Sequence, residues 1–367
     1  MDIFERIEES SGGPLGQYRE QVEGYYSFPK LEGEIGPHMR FQDKDVLCWS
    51  LNNYLGLANH PEIRKVDGEA AVRWGLAYPM GSRMLTGNSD LHEKFERMLA
   101  KFEKKEAAFL FNFGYQGIVS AIDSLLSRHD IIVFDAECHA CLMDGKRLHQ
   151  GKAYSYKHND IESCEKKLKV ACKEAEEQGG GVLLITEGVY GMTGALGILD
   201  QIAALKKKYK FRIMIDDAHG FGVMGPHGRG TSEHFGVMDD IDIYIGAYAK
   251  SMAIIGGFIA SKKSVIDYLR YTMRSQIMQR LCQCRLSRAA SSVLRLSTAP
   301  RATSSATNCG QSPVAYRTVS AILVSTSVRP RLAYRRYTFR AALSRQQQWH
   351  TTCARTTRFS AQLWFTP

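Results

Sequence analysis

Phe211-Arg212-Ile213-Met214-Ile215-Asp216-Asp217-Ala218-His219-Gly220 is the stretch that decides how this chain is read. Its first half, Phe211 to Ile215, is a mainly apolar run that reads as a β-strand. The strand delivers Asp216 and His219 at its carboxyl end, where open α/β sheets bind ligands. A second run, Ile241 to Tyr248, delivers Lys250 in the same way, within Ala249-Lys250-Ser251. Asp-Asp-x-His alone is what any strand end with exposed polar residues shows. A carboxylate, an imidazole and an amine brought to the ends of two strands can together hold and move protons.

Working outward, apolar runs alternate with helical patterns. Ala107–Phe111, Ile131–Phe134, Val182–Thr186, Ile241–Tyr248 and Gly257–Ala260 read as further strands. Tyr115–Leu126, Asp160–Glu177 and Asp200–Tyr209 read as helices between them. Leu91, Phe95, Met98, Leu99 and Phe102 recur at helical spacing, with Asp90 as the expected N-cap. Strands alternating with helices predict an α/β fold with a mainly parallel sheet flanked by helices. Residues 1–50 read as a lead-in segment, irregular or partly helical, and 51–276 as the large domain.

Composition separates a third segment. The 367 residues include 48 Lys and Arg against 38 Asp and Glu, a formal charge of +10. Residues 277–367 contain 14 Arg but no Lys, Asp or Glu, so residues 1–276 carry a net charge of −4. The basicity therefore belongs to the tail, and the large domain is not read as a nucleic-acid binder. The tail shows no sustained hydrophobic period. It reads as a disordered basic arm able to meet polyanions, or as translation out of frame, which yields Arg, Ser, Ala and Pro together. No signal peptide and no apolar run of membrane-spanning length is visible, and the nine cysteines form no disulfide-like framework, so a reduced cytoplasm is expected. Cys138-His139-Ala140-Cys141 is formally a CxxC, but it lacks a second ligand pair at zinc spacing, and no metal is expected.

Further motifs stand in order before the strand-end pair. They are Asn52-Asn53-Tyr54-Leu55-Gly56-Leu57, Gly81-Ser82-Arg83-Met84-Leu85-Thr86-Gly87-Asn88, and Asn112-Phe113-Gly114-Tyr115-Gln116-Gly117. Asp135-Ala136-Glu137-Cys138-His139-Ala140 and Thr186-Glu187-Gly188-Val189-Tyr190-Gly191 follow. The third lies between a strand and a helix, where free N–H groups and the helix dipole favour a phosphate. A lysine amine for a Schiff base and a carboxylate for a pyridine nitrogen are what pyridoxal 5'-phosphate (PLP) requires.

Residues from about 50 to 275 resemble the α-oxoamine synthase family of fold-type-I PLP enzymes, with an aspartate aminotransferase-like large domain. The resemblance implies that Lys250 is the Schiff-base lysine, that Asp216 pairs with the pyridine nitrogen, and that His219 meets the phenolic oxygen. It implies that His139 stacks on the ring and that the phosphate lies against Gly114 and Tyr115. Glu187 belongs to the family's strand-end segment, and Asn52 and Ser82 are implied in binding the amino-acid substrate. Two departures stand out: Gly191 where many members have Ser, and Ala247 where Thr commonly touches the phosphate.

The implied reaction is decarboxylative condensation of an amino acid with an acyl-CoA, in a homodimer. Gly220-Phe221-Gly222 and Ala249–Ala253 are most similar to bacterial serine palmitoyltransferase-like sequences, which points to L-serine and sphingolipid-type synthesis. Ligation of glycine with an acyl-CoA (the 2-amino-3-ketobutyrate CoA ligase reaction) and 8-amino-7-oxononanoate synthesis are alternatives. A catalytically inactive PLP fold, or polyanion binding through the arginine tail, is the alternative outside enzymology. Family members continue into a smaller C-terminal domain carrying an Arg for the substrate carboxylate. Nothing after Ile277 matches it, so no tail arginine is assigned.

Overall fold

A computed structural model describes residues 2–10, 16, 19, 23–24, 27–75, 78–279 and 284–298. They fall into two compact units, the first ending at Leu51 and the second beginning at Asn52. In the first, helix α1 (Ile3–Glu9) starts on a capping box in which Asp2 and Glu5 satisfy each other's backbone N–H groups. Strands β1 (His38–Phe41) and β2 (Lys44–Leu47) pair antiparallel as a hairpin. The lead-in therefore holds a two-stranded sheet that the sequence reading left irregular.

In the second unit helices α2 (Pro61–Trp74) and α3 (Asp90–Phe102) precede a seven-stranded sheet. Its strands are β3 (Ala107–Phe111), β4 (Ile131–Asp135), β5 (Ala153–Tyr156), β6 (Val182–Glu187), β7 (Arg212–Asp216), β8 (Ile243–Ala247) and β9 (Gly257–Ser261). The spatial order is β3-β9-β8-β7-β6-β4-β5. The five strands from β8 to β5 are parallel, while β9 runs antiparallel to both β8 and β3. Crossovers between successive parallel strands carry helices: α4 (Gly114–Leu125) before β4, then α5 (Ala140–Leu148), α6 (Ile161–Glu177), α7 (Leu199–Ala204) and α8 (Thr231–His234). Helices α9 (Lys263–Thr272), α10 (Arg274–Ile277) and α11 (Cys284–Thr298) follow β9.

The near-continuous apolar strands are explained by burial on both faces. Strand residues alternate between two cores. Ile131, Val133, Ile213 and Ile215 join one with Leu99, Leu168 and Phe258, and Ile132, Phe134 and Met214 join the other with Ile122, Leu142 and Leu269. Among the described residues no helix is long and apolar enough to cross a membrane.

Strand ends shift by one or two residues from the sequence reading, β5 is absent from it, and three further differences matter more. Ser89, not Asp90, caps α3, its Oγ accepting from the His92 N–H at 3.5 Å. The helix expected over Asp200–Tyr209 is a short α7 that tightens into a 3-10 turn at Leu205–Lys207. The larger correction concerns the tail. Residues 284–298, expected to lack order, form α11, which lies against α2 and α3. It buries Ala289, Ala290, Val293 and Leu294, and Arg288 reaches Glu69 at 3.5 Å. The helical period is present in the sequence, with Leu286, Ala289, Ala290, Val293 and Leu294 at helical spacing, and the reading of the tail as a whole passed over it. Residues 299–367, which hold most of the expected arginine arm, lie outside the described residues.

One buried ion cluster ties the 81–88 loop to this frame. Glu96 of α3 accepts from both Arg83 terminal nitrogens, from Arg270 of α9 at 2.7 Å, and from the β3 backbone at Leu110 N–H at 3.0 Å. The Arg83 and Glu96 side chains are 5% and 3% exposed. Removing one partner of such a cluster strands the other's charge in low dielectric. Glu96→Ala should cost about 3–5 kcal/mol, read as a lower midpoint in urea unfolding, with Glu96→Gln milder.

Candidate functional site

The parallel register lines up three strand ends. Glu187, the last residue of β6, sits opposite Asp216, the last of β7, which in turn sits opposite Ile245 of β8. Both carboxylates are buried. Burial and the neighbouring Asp216 hold the Glu187 carboxyl well above its ordinary range. One Glu187 oxygen accepts from the backbone N–H of His139, which ties the start of α5 to the end of β6. Asp216 accepts from the Ala218 N–H at 3.0 Å through Oδ1, while the Cys141 thiol lies 3.8 Å from its Oδ2.

The two histidines differ in how they are held. His139 is the N-cap of α5, and its Nδ1 accepts from the Cys141 backbone N–H at 3.2 Å. A backbone N–H only donates, so a neutral His139 carries its proton on Nε2. His219 has Nδ1 2.7 Å from the Tyr54 hydroxyl. Burial, with the positive fields of Lys250 and His139, lowers its pKa to about 3. Burial likewise raises the Tyr54 phenol to about 12. His219 and Tyr54 are therefore both uncharged at neutral pH. Lys250 also acts electrostatically on Glu187 and Cys141, so the strand-end carboxylates, both histidines and the lysine share one site.

Asp217, passed over in the sequence reading, turns to the opposite side. It is fully buried and accepts from the Thr231 N–H at 2.7 Å, the Thr231 hydroxyl at 2.8 Å and the Tyr244 hydroxyl at 3.0 Å. It pins the His219 turn to α8 and β8. Tyr54 and Cys141 were also missed as site residues. Tyr54 could have been found from its place inside the Asn52–Leu57 motif, and Cys141 stands in the Cys138–Cys141 pair that the sequence reading weighed only as a metal motif. Ser82 lies in the 81–88 loop. Its carbonyl accepts from the Leu85 and Gly87 N–H groups inside its own loop.

The residues present fit PLP. Among the described residues the Lys250 side chain makes no hydrogen bond or ion pair, its carbonyl alone accepting from the Ala253 N–H at 3.0 Å, which leaves its amine uncommitted. Asp216 keeps Oδ2 without a strong donor. Helix α4 begins at Gly114 with no side-chain cap, so its first N–H groups are open to an anion. Tyr115 follows, half-exposed, its hydroxyl donating to Asp144 and its ring edge-on to His139 at 6.0 Å.

The two departures acquire geometry. A Cβ added at Gly191 would collide with His219 Nε2 and come 2.9 Å from ring carbons Cδ2 and Cε1. Glycine is therefore what lets the imidazole take its place. Ala247 lies against the helix start, its Cβ 3.9 Å from where a Cβ on Gly114 would stand.

Two outcomes follow from this geometry. The Ala247→Thr variant adds a hydroxyl beside the open N–H groups and should retain PLP several-fold more tightly in equilibrium dialysis. His219 binds a proton near pH 6.5 when unfolded but only near 3 when folded, so its contribution to stability is present above 6.5 and is lost as pH falls toward 3. His219→Gln should accordingly flatten the acid-side fall in thermal denaturation midpoint relative to wild type.

With this geometry in place, likeness to known proteins is informative. A family model described as Aminotransferase class I and II matches residues 44–303. The cysteate-C-fatty acyltransferase of Capnocytophaga ochracea is 58% identical over 276 residues, covering 75% of this chain and 66% of that protein. The serine palmitoyltransferase of Bacteriovorax stolpii is 37% identical over 251 residues, covering 68% of this chain and 59% of that protein. The chain thus spans less than two thirds of the length of either relative. A serine palmitoyltransferase from S. paucimobilis, solved with bound PLP–myriocin aldimine, superposes with a TM-score of 0.73 at 26% identity, covering 81% of this chain and 73% of that one. Sequence, fold and strand-end chemistry agree: the chain belongs to the aminotransferase class I and II family and, within it, to the PLP-dependent α-oxoamine synthases.

Proposed function

We propose that this protein condenses a small α-amino acid with a fatty acyl-CoA, releasing carbon dioxide, free CoA thiol and an amino ketone. The observation that carries the reading is the uncommitted Lys250 amine beside the Glu187–Asp216 pair at aligned strand ends. PLP supplies the electron sink for a carbanion at the amino acid's Cα. Gly114 and Tyr115 would hold its phosphate, Asp216 its pyridine nitrogen in the protonated form, and His139 and His219 its ring and phenolic oxygen. Lys250 takes the Cα proton and later returns one. The new bond joins Cα to the thioester carbonyl carbon, the C–S bond breaks with the thiol as leaving group, and the carboxylate departs as carbon dioxide. Asn52, one hydrogen bond from Tyr54, would meet the amino acid. A homodimer belongs to the same proposal.

The amino acid we favour is cysteate, because 58% identity to a cysteate enzyme far exceeds 37% to a serine enzyme. L-Serine is the second reading, supported by the fold match to serine palmitoyltransferase. The test incubates the full chain and PLP with palmitoyl-CoA and either L-cysteate or L-serine, following thiol release and the amino ketone by mass spectrometry. Turnover with cysteate at least tenfold above serine is expected, and Lys250→Ala should abolish it. The reverse preference selects the second reading. PLP uptake without turnover on any amino acid would leave a cofactor-binding fold that is not an acyltransferase.

A further inference from the structure

Tyr54 Oη stands 2.7 Å from His219 Nδ1 and 3.1 Å from Asn52 Oδ1. A phenol has one proton and can donate only one hydrogen bond. An amide oxygen only accepts, so that proton goes to Asn52. Tyr54 must then accept from His219, which requires the imidazole proton on Nδ1. We infer that Asn52, Tyr54 and His219 form a directed hydrogen-bond relay in which Asn52 and Tyr54 are positioning residues: they place the single His219 proton on Nδ1 and leave Nε2 a bare acceptor.

The surroundings agree with this assignment. His219 is neutral and Tyr54 protonated across the physiological range, so neither charge state competes with the relay. The Nε2 edge faces Gly191, where the missing side chain makes its room. His139 is held in the opposite tautomer by the Cys141 N–H. The site thereby presents one imidazole that donates through Nε2 and one that accepts through it. The consequence for the proposed reaction rests on the PLP reading: a hydrogen bond between His219 Nε2 and a phenolic oxygen needs the proton on that oxygen. The tautomer itself is a property of the chain and stands without that reading. Turning the Asn52 amide would reverse every donor in the relay, so the amide orientation decides the tautomer.

The test is the long-range proton–nitrogen correlation spectrum of the full chain carrying nitrogen-15 histidine, with and without PLP, His219 being assigned by its loss in His219→Gln. The wild type should show the Nδ1-protonated pattern for His219 and, as an internal control, the Nε2-protonated pattern for His139. Tyr54→Phe, which removes one oxygen and keeps the ring, should interchange the two His219 nitrogen shifts, since free imidazole favours the Nε2 proton. Asn52→Asp, an acceptor only, should preserve the wild-type pattern. An Nε2-protonated His219 in the wild type, or no change in Tyr54→Phe, overturns the relay. Should Tyr54→Phe not fold, the wild-type spectrum decides alone. An inactive chain with Nδ1-protonated His219 keeps the relay and loses the reaction; an active chain with Nε2-protonated His219 does the converse.

Discussion

Two carboxylates are forced side by side by the parallel pairing of β6 with β7, and the rest of the site answers to that pair. The register sets Glu187 beside Asp216 at the buried end of the sheet. Two adjacent anions without water are costly, and burial makes each charge more so. The structure relieves the cost by holding the Glu187 carboxyl toward its neutral form, by supplying the His139 N–H, and by bringing the Lys250 amine within electrostatic reach. A protonated pyridine beside Asp216 would complete the charge balance. The strained electrostatics of the free site and its fit for a cationic ring are one property seen from two sides.

Two polar groups around that pair, His219 and Tyr54, are uncharged. His219 and Tyr54 remain neutral because they are buried, and their hydrogen bonds, not their charges, give the pocket direction. Such an arrangement suits chemistry in which a single proton must go to and from one carbon. Asp217 supports the arrangement from behind, accepting three hydrogen bonds from Thr231 and Tyr244 that anchor the turn carrying His219.

Gly191 and Ala247 show how a family pattern is altered without losing the site. At Gly191 a side chain is exchanged for room, and the imidazole of His219 occupies it. At Ala247 a hydroxyl is absent, and phosphate binding is left to the open N–H groups of α4 and whatever Tyr115 adds. Helix α11 is a further instance of pattern yielding to packing. Its stripe of Ala289, Ala290, Val293 and Leu294 is buried once α2 and α3 provide a surface to cover it.

The sequence by itself determined six of the seven strands of the main sheet, the order of motifs and the residue types at the strand ends, but not the short edge strand β5 (Ala153–Tyr156). Apolar runs of five or six residues bounded by Gly and polar turns admit little else, and Asp216, His219 and Lys250 stand within a few residues of where such runs stop. It also showed that residues 277–367 differ in composition from the rest. What only the tertiary structure decided were the partners. The antiparallel insertion of β9 between β3 and β8, the docking of α11, the pairing of Tyr54 with a histidine 165 residues away, and the burial of Asp217 all depend on contacts between distant segments. Local periodicity reports which face of an element is apolar, but not what will cover it. A hydrogen-bond partner far along the chain leaves no trace in spacing, because its position is set by how the sheet and helices close on one another.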